Sequence, residues 1–279
     1  LNALDLKTSE DIDVGATNVT GNIADLTKLY ITNADNFTNL GNETVTISGT
    51  VTAAQADAIA DATSGAVTAN IAAGTAAALN TALVDFGGQV NAYTLTVNGT
   101  TANASDLNAL DGKTSVTVNA AAIKNIEGTA TAVKAAYDAN ANKTISGLGN
   151  ETVDLSTATD ANVSLVKAIN DYTTGVITLP TITFDNVVTN FSLSQLGDLK
   201  GIAGLHTIDA TGVGVNTNMT ISLKDLLAAN DSTNSFDFTI LGDASDSISF
   251  TDTTGWTLDD SVAGTSTYTN DVTTQVIEI

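Results

Sequence analysis

The chain copies itself, and that repetition limits its folds to ones built from similar pieces packed in series. Leu1-Asn-Ala-Leu-Asp-Leu-Lys-Thr-Ser9 returns as Leu107-Asn-Ala-Leu-Asp-Gly-Lys-Thr-Ser115, and Leu40-Gly-Asn-Glu-Thr-Val45 returns unchanged as Leu148-Gly-Asn-Glu-Thr-Val153. Thr63-Ser-Gly-Ala-Val-Thr68 aligns with Thr173-Thr-Gly-Val-Ile-Thr178. The three offsets, 106, 108 and 110 residues, drift by four residues in about a hundred, which reads as stacked pieces with small loop insertions.

Within the long repeat runs a shorter grammar: a β-rich run, a Gly/Ser/Thr step, then an Ala/Leu-rich stretch. Glu43–Ser48 leads into Thr52–Ala60, where Thr52 and Gln55 have capping-box spacing. Tyr93–Val97 precedes Ser105–Leu110, with Ser105 the expected cap and Gly112 the expected left-handed stop. Val116–Asn119 before Thr129–Ala136, and Thr152–Leu155 before Asp160–Ile169, continue the pattern. Helices of two or three turns are marginal in water, so each must bury its apolar stripe against a neighbour. A strand followed by a returning helix favours parallel pairing. The expected architecture is therefore a β-rich repeat solenoid with short helices, of parallel strand-plus-helix rungs, over residues 1–180. A β-rich C-terminal module is expected over 181–279.

Composition agrees with thin, closely stacked rungs. Aromatics make up 5% and charged residues 14%, with alanine, threonine, asparagine and glycine filling the difference. Low complexity could also mean disorder, but the regular apolar periodicity argues for folding. Nine lysines, no arginine and 31 acidic residues give a formal charge of −22. The scattered lysines offer no phosphate-binding cluster, so nucleic acid is not an expected partner. An acidic surface suits high ionic strength or hard cations. The absence of cysteine excludes disulfides and thiolate sites. No run of 18 apolar residues is present, so no membrane insertion is expected. Beginning at Leu1 inside a repeat, the chain reads as a processed product or a segment of something larger. Asn-x-Ser/Thr triplets such as those at Asn18, Asn36 and Asn42 follow from the abundance of both residue types.

After Pro180, the only proline, phenylalanines become frequent and strands separated by Gly and Asp turns are expected. Ile208–Thr217, Thr220–Leu227, Ile240–Phe250, Gly255-Trp256 and Tyr268 follow in order the pattern IDxTGxGxNT, LTLSLxDLL, LxIxGDAxDSVxL, Gly-Trp and YTxY. This last quarter resembles a module of very large type I-secreted surface proteins of Gram-negative bacteria, the RTX-type adhesins and surface-layer proteins. The repeats of residues 1–180 are more loosely similar to those of large cyanobacterial and marine bacterial surface proteins. The resemblance implies an extracellular or cell-surface protein. The family's calcium-binding Gly-Gly-x-Gly-x-Asp nonapeptide does not occur in this chain. Calcium, if used, would fall to Asp243, Asp246, Asp252, Asp259 and Asp260, because turn carboxylates supply the six to eight oxygens the ion takes. The competing reading has these aspartates capping turns and facing water.

Signals for catalysis are sparse. His206 is the single histidine, in strand-like text and with no Gly-x-Ser-x-Gly elbow. Asp259-Asp260 and Asp243 with Asp246 are paired carboxylates, but glycosidase spacing is not legible across loops. Trp256, the one tryptophan, is expected in the core rather than under a sugar. Gly212-Val-Gly214 lacks the Lys-Ser/Thr of a phosphate loop and reads as a turn. The sequence thus points to a non-enzymatic extracellular structural protein, a repeat segment of a self-assembling filament, surface layer or adhesin, whose main partner is itself. The alternative is a carbohydrate- or receptor-binding solenoid, an adhesin tip or phage tail-spike-like protein with surface glycans as partners. An ice-binding solenoid fits poorly, because the rung lengths are uneven.

Overall fold

A computed structural model of the chain describes all residues except 85–89, 186–189, 198, 213–215, 231–235, 264–265 and 279. The fold is mixed α/β, with parallel sheets and eight α-helices among the described residues. Two compact units divide it: Leu1–Ile123 with Asp138–Leu148, and Lys124–Tyr137 with Gly149–Ile279.

In the first unit a four-stranded parallel sheet runs in the order Asn18–Asn22, Thr44–Val51, Val67–Ile71, Ala92–Thr94. Its register explains the alternation in the sequence. Val19, Val45 and Val67 pair in one inward column and are buried, while Thr20, Thr46 and Thr68 pair in an outward one. Side-chain bonds continue the ladder, with Asn18 Nδ2 donating to Thr44 Oγ1 at 2.8 Å and Asn70 Nδ2 to Thr50 Oγ1 at 2.9 Å. Threonine favours strands, and its hydroxyl leaves the outer face polar.

The second unit repeats the plan. Ile126, Val153, Ile177 and Ile202 form a buried column across four parallel strands. Ile182, Ile208 and Ile240 align in a second column and Phe191, Met219 and Ile248 in a third, each buried at its first two members, while Ile240 is half-buried and Ile248 exposed. Strand followed by helix continues past Pro180: Asn218–Ser222 runs into the helix Leu223–Asn230, whose Asp225 N–H donates to Ser222 Oγ at 3.1 Å. The sequence expectation of strands alone misses this helix. Among the described residues, antiparallel pairing enters only near the end, where Trp256–Asp259, Thr267–Asn270 and Val276–Glu278 lie side by side.

The helices form where capping and small apolar residues coincide. Thr52 and Gln55 complete the expected capping box of Ala53–Ala60, which buries Ala53, Ala56 and Ile59. Two local expectations are corrected. Helix Ala104–Gly112 is capped by Asn103, not Ser105: Asn103 Oδ1 accepts the Ser105 N–H at 2.9 Å and its hydroxyl at 2.7 Å, so the serine is drawn into the first turn. Nor does Gly112 stop the helix in a left-handed turn. It stays helical, and the cap is Lys113 at φ −89°. The Lys113 ammonium reaches the carbonyls of Asn80 and Leu83 at the end of helix Ala76–Ala82, a cation where free carbonyls gather.

Candidate functional site

The five aspartates singled out in the sequence fall in three places: Asp243 and Asp246 flank one turn, Asp252 follows the strand Ser247–Thr251, and Asp259 and Asp260 stand at the end of the strand Trp256–Asp259. Asp243 and Asp246 are together: Asp246 Oδ2 accepts the Asp243 N–H at 2.6 Å, and Asp246 Oδ1 accepts the Thr217 N–H at 2.7 Å. Asp243 Oδ2 accepts the Gly212 N–H at 3.0 Å. Val213 and Gly214, the rest of the expected glycine turn, lie outside the described residues. Asp252 Oδ2 accepts the Ser222 hydroxyl at 2.7 Å. Asp259 is exposed, and hydrogen bonds from the Ser261 side chain and backbone hold its carboxyl below the usual range. Asp260 stands beside Tyr268, whose phenol is pushed up by burial and then by that negative charge. Among the described residues, no three His, Cys, Asp or Glu side chains gather as a metal site. His206 is exposed, with Nδ1 3.1 Å from Thr207 Oγ1.

The repeat itself produces a constellation that sequence reasoning did not single out. Glu43 and Glu151, the glutamates of the two Leu-Gly-Asn-Glu-Thr-Val copies, are both 0% exposed. In the first unit Glu43 Oε2 accepts the Tyr30 hydroxyl at 3.2 Å and the Gly41 N–H at 2.8 Å. In the second, Glu151 Oε2 accepts the Tyr137 hydroxyl at 3.3 Å, the Gly149 N–H at 2.7 Å and the Asn150 N–H at 3.2 Å. A buried carboxylate is tolerable only when donors replace its water, and two or three converge on the same oxygen here. The other oxygen, Oε1, finds no hydrogen-bond partner among the described residues at either site.

The same glutamates join adjacent strands through their main chains. Thr63 Oγ1 donates to Glu43 O at 2.7 Å and accepts the Gly65 N–H at 3.1 Å. Thr173 Oγ1 donates to Glu151 O at 2.7 Å and accepts the Gly175 N–H at 3.0 Å. Glycine is required there because a Cβ would lie 2.1 Å from Glu43 O at position 65 and 2.0 Å from Glu151 O at position 175. A related clasp joins Thr114 Oγ1 to Tyr93 O at 2.8 Å. The phenols of both sites are raised, Tyr30 by burial and then Glu43, and Tyr137 by burial, which outweighs a bond to Thr173 and is reinforced by Glu151. Tyr137 also stacks on Tyr172 with centroids 5.7 Å apart. The signal in the sequence was present: a glutamate kept within identical hexapeptides, followed by Thr-x-Gly 20 residues later in one copy and 22 in the other.

Two clefts of about 330 Å³ open on the surface. One, in the first unit, lies against Leu1, Val19, Gly21 and Leu26. The other, in the second, holds Trp256 with Asp252, Asn270 and Lys224. Trp256 is thus half-buried at a surface cleft rather than in the core. Comparison of the chain with protein-family models, with curated proteins and with solved structures found no match.

Proposed function

We propose that this chain is a non-enzymatic structural repeat protein of the bacterial exterior, whose strand-and-helix rungs stack as a solenoid and whose copies assemble into a filament or lattice. One observation carries the reading: the Tyr–Glu–Thr–Gly lock occurs once in each compact unit, at the offset of the sequence repeat. Its glutamates and tyrosines are buried to 5% exposure or less, so they face neighbouring chain rather than a substrate. Chemistry spent on joining successive strands is what a load-transmitting repeat requires.

Assembly is supported by an open parallel edge. Asn18–Asn22 ends the order of its sheet, and an edge strand is a template for another chain, whereas Ala92–Thr94 at the other end is already engaged by Thr114. The charge of −22 opposes close approach of copies, and a divalent cation such as calcium offsets that repulsion. Placement outside the cell rests on the resemblance of residues 208–268 to RTX-type adhesins and surface-layer proteins.

Negative-stain electron microscopy of the purified chain, dialysed in parallel against millimolar calcium and against chelator, tests the reading. Ordered fibres or sheets are expected, longer and more numerous in calcium. Dispersed particles in both samples would sink the assembly proposal.

A further inference from the structure

We propose that the cleft around Trp256 is a saccharide-binding site that takes a neutral pyranose residue of a surface or matrix polysaccharide. The inference stands apart from the stacking of rungs and draws on different residues.

The cleft combines one aromatic plane with hydrogen-bonding groups of both kinds. Trp256 opens the antiparallel strand Trp256–Asp259 and is half-buried, with its indole on the cleft beside Leu227. Asp252 supplies a carboxylate that is already positioned. Its backbone sits in the left-handed region at φ 57°, and its Oδ2 is held by the Ser222 hydroxyl at 2.7 Å. The remaining carboxylate oxygen is left as an acceptor. Asn270 is positioned in the complementary sense: its Oδ1 accepts the N–H groups of Val272 at 3.0 Å and Thr273 at 2.9 Å, which leaves its NH2 as a donor. Thr254 adds a hydroxyl and Lys224 an exposed ammonium.

This set selects among ligand classes. An apolar ligand would strip water from a carboxylate and an ammonium without replacing it. A phosphate or nucleotide would meet Asp252 on a chain of charge −22. A pyranose has an apolar C–H face to lay on indole and a rim of hydroxyls that both donate and accept, matching the acceptor of Asp252 and the donors of Asn270 and Lys224. Sites of this kind use a few fixed polar groups to orient a ligand that an apolar surface holds.

Trp256 is the only tryptophan, so its emission reports on this cleft alone. The whole chain is titrated with glucose, galactose and N-acetylglucosamine and with oligomers of each. A saturable emission change is expected for at least one series, with a Kd of about 1 mM or tighter. Asp252→Asn and Lys224→Ala are each expected to weaken it by about tenfold while leaving the thermal melt in place. Saturation-transfer NMR with Trp256→Ala supplies a readout without the fluorophore, and loss of transfer is expected. No saturable response to any sugar, a response to short peptides in place of sugars, or sugar binding untouched by all three substitutions would overturn the proposal.

Discussion

Gly65 and Gly175 show how tightly the chain is tied at single residues. Each sits where the backbone of the preceding strand leaves no room for a Cβ, against the carbonyl of a buried glutamate. Gly65→Ala or Gly175→Ala must push that carbonyl away and loosen the threonine clasp on it, so each is expected to destabilise the protein by about 1–3 kcal/mol. Gly112 provides the internal control. Nothing lies within 4 Å of the Cβ it would acquire, and it is helical, so Gly112→Ala is expected to stabilise by up to about 1 kcal/mol. Urea unfolding of the three variants checks this, and equal effects at all three positions would contradict it. The glycines at 65 and 175 are visible in the sequence as parts of matching copies. Their need for closeness is not, because the carbonyl that excludes a Cβ belongs to a residue 22 to 24 positions earlier.

At the scale of elements, helix starts were legible to within about two residues, since a cap is a local event. Thr52 with Gln55 behaves as spacing predicts. The stretch expected to be helical from Asp160 starts later: Asn162 caps Val163–Tyr172, and the Asp160 carboxylate accepts the N–H groups of Ala130 at 2.8 Å and Thr131 at 2.9 Å in another helix. Burial alone would raise its pKa, but these bonds outweigh burial and lower it from the ordinary 3.8. A carboxylate with a depressed folded pKa contributes stability that is whole above pH 3.8 and is lost as pH falls through the folded value. Asp160→Ala should therefore cost about 1 kcal/mol at neutral pH and less as carboxylates protonate. Thermal melts of both proteins from pH 7 to pH 3 provide the check; a difference that grows on acidification would refute it.

For the whole molecule the dominant physical fact is charge. With 31 acidic groups against nine lysines, the folded chain crowds repulsion that unfolding relieves. Raising NaCl from about 10 mM to about 0.3 M shortens the Debye length from about 30 Å to below 8 Å and should raise Tm by about 5 °C. A Tm that stays flat or falls would mean that the acidic groups lie too far apart to matter. Charge, the strand-then-helix order, parallel pairing and the positions of four of the eight described helices were legible in the sequence, because they depend on composition or on neighbours a few residues away. Only tertiary structure decided that Glu43 and Glu151 are buried under Tyr30 and Tyr137, that the helix Leu223–Asn230 interrupts the C-terminal strands, and that Trp256 lines a surface cleft with Asp252 and Asn270. Each of these depends on which distant segments meet, and a glutamate that meets a phenol and amide N–H groups can stay buried where the same glutamate in water would not.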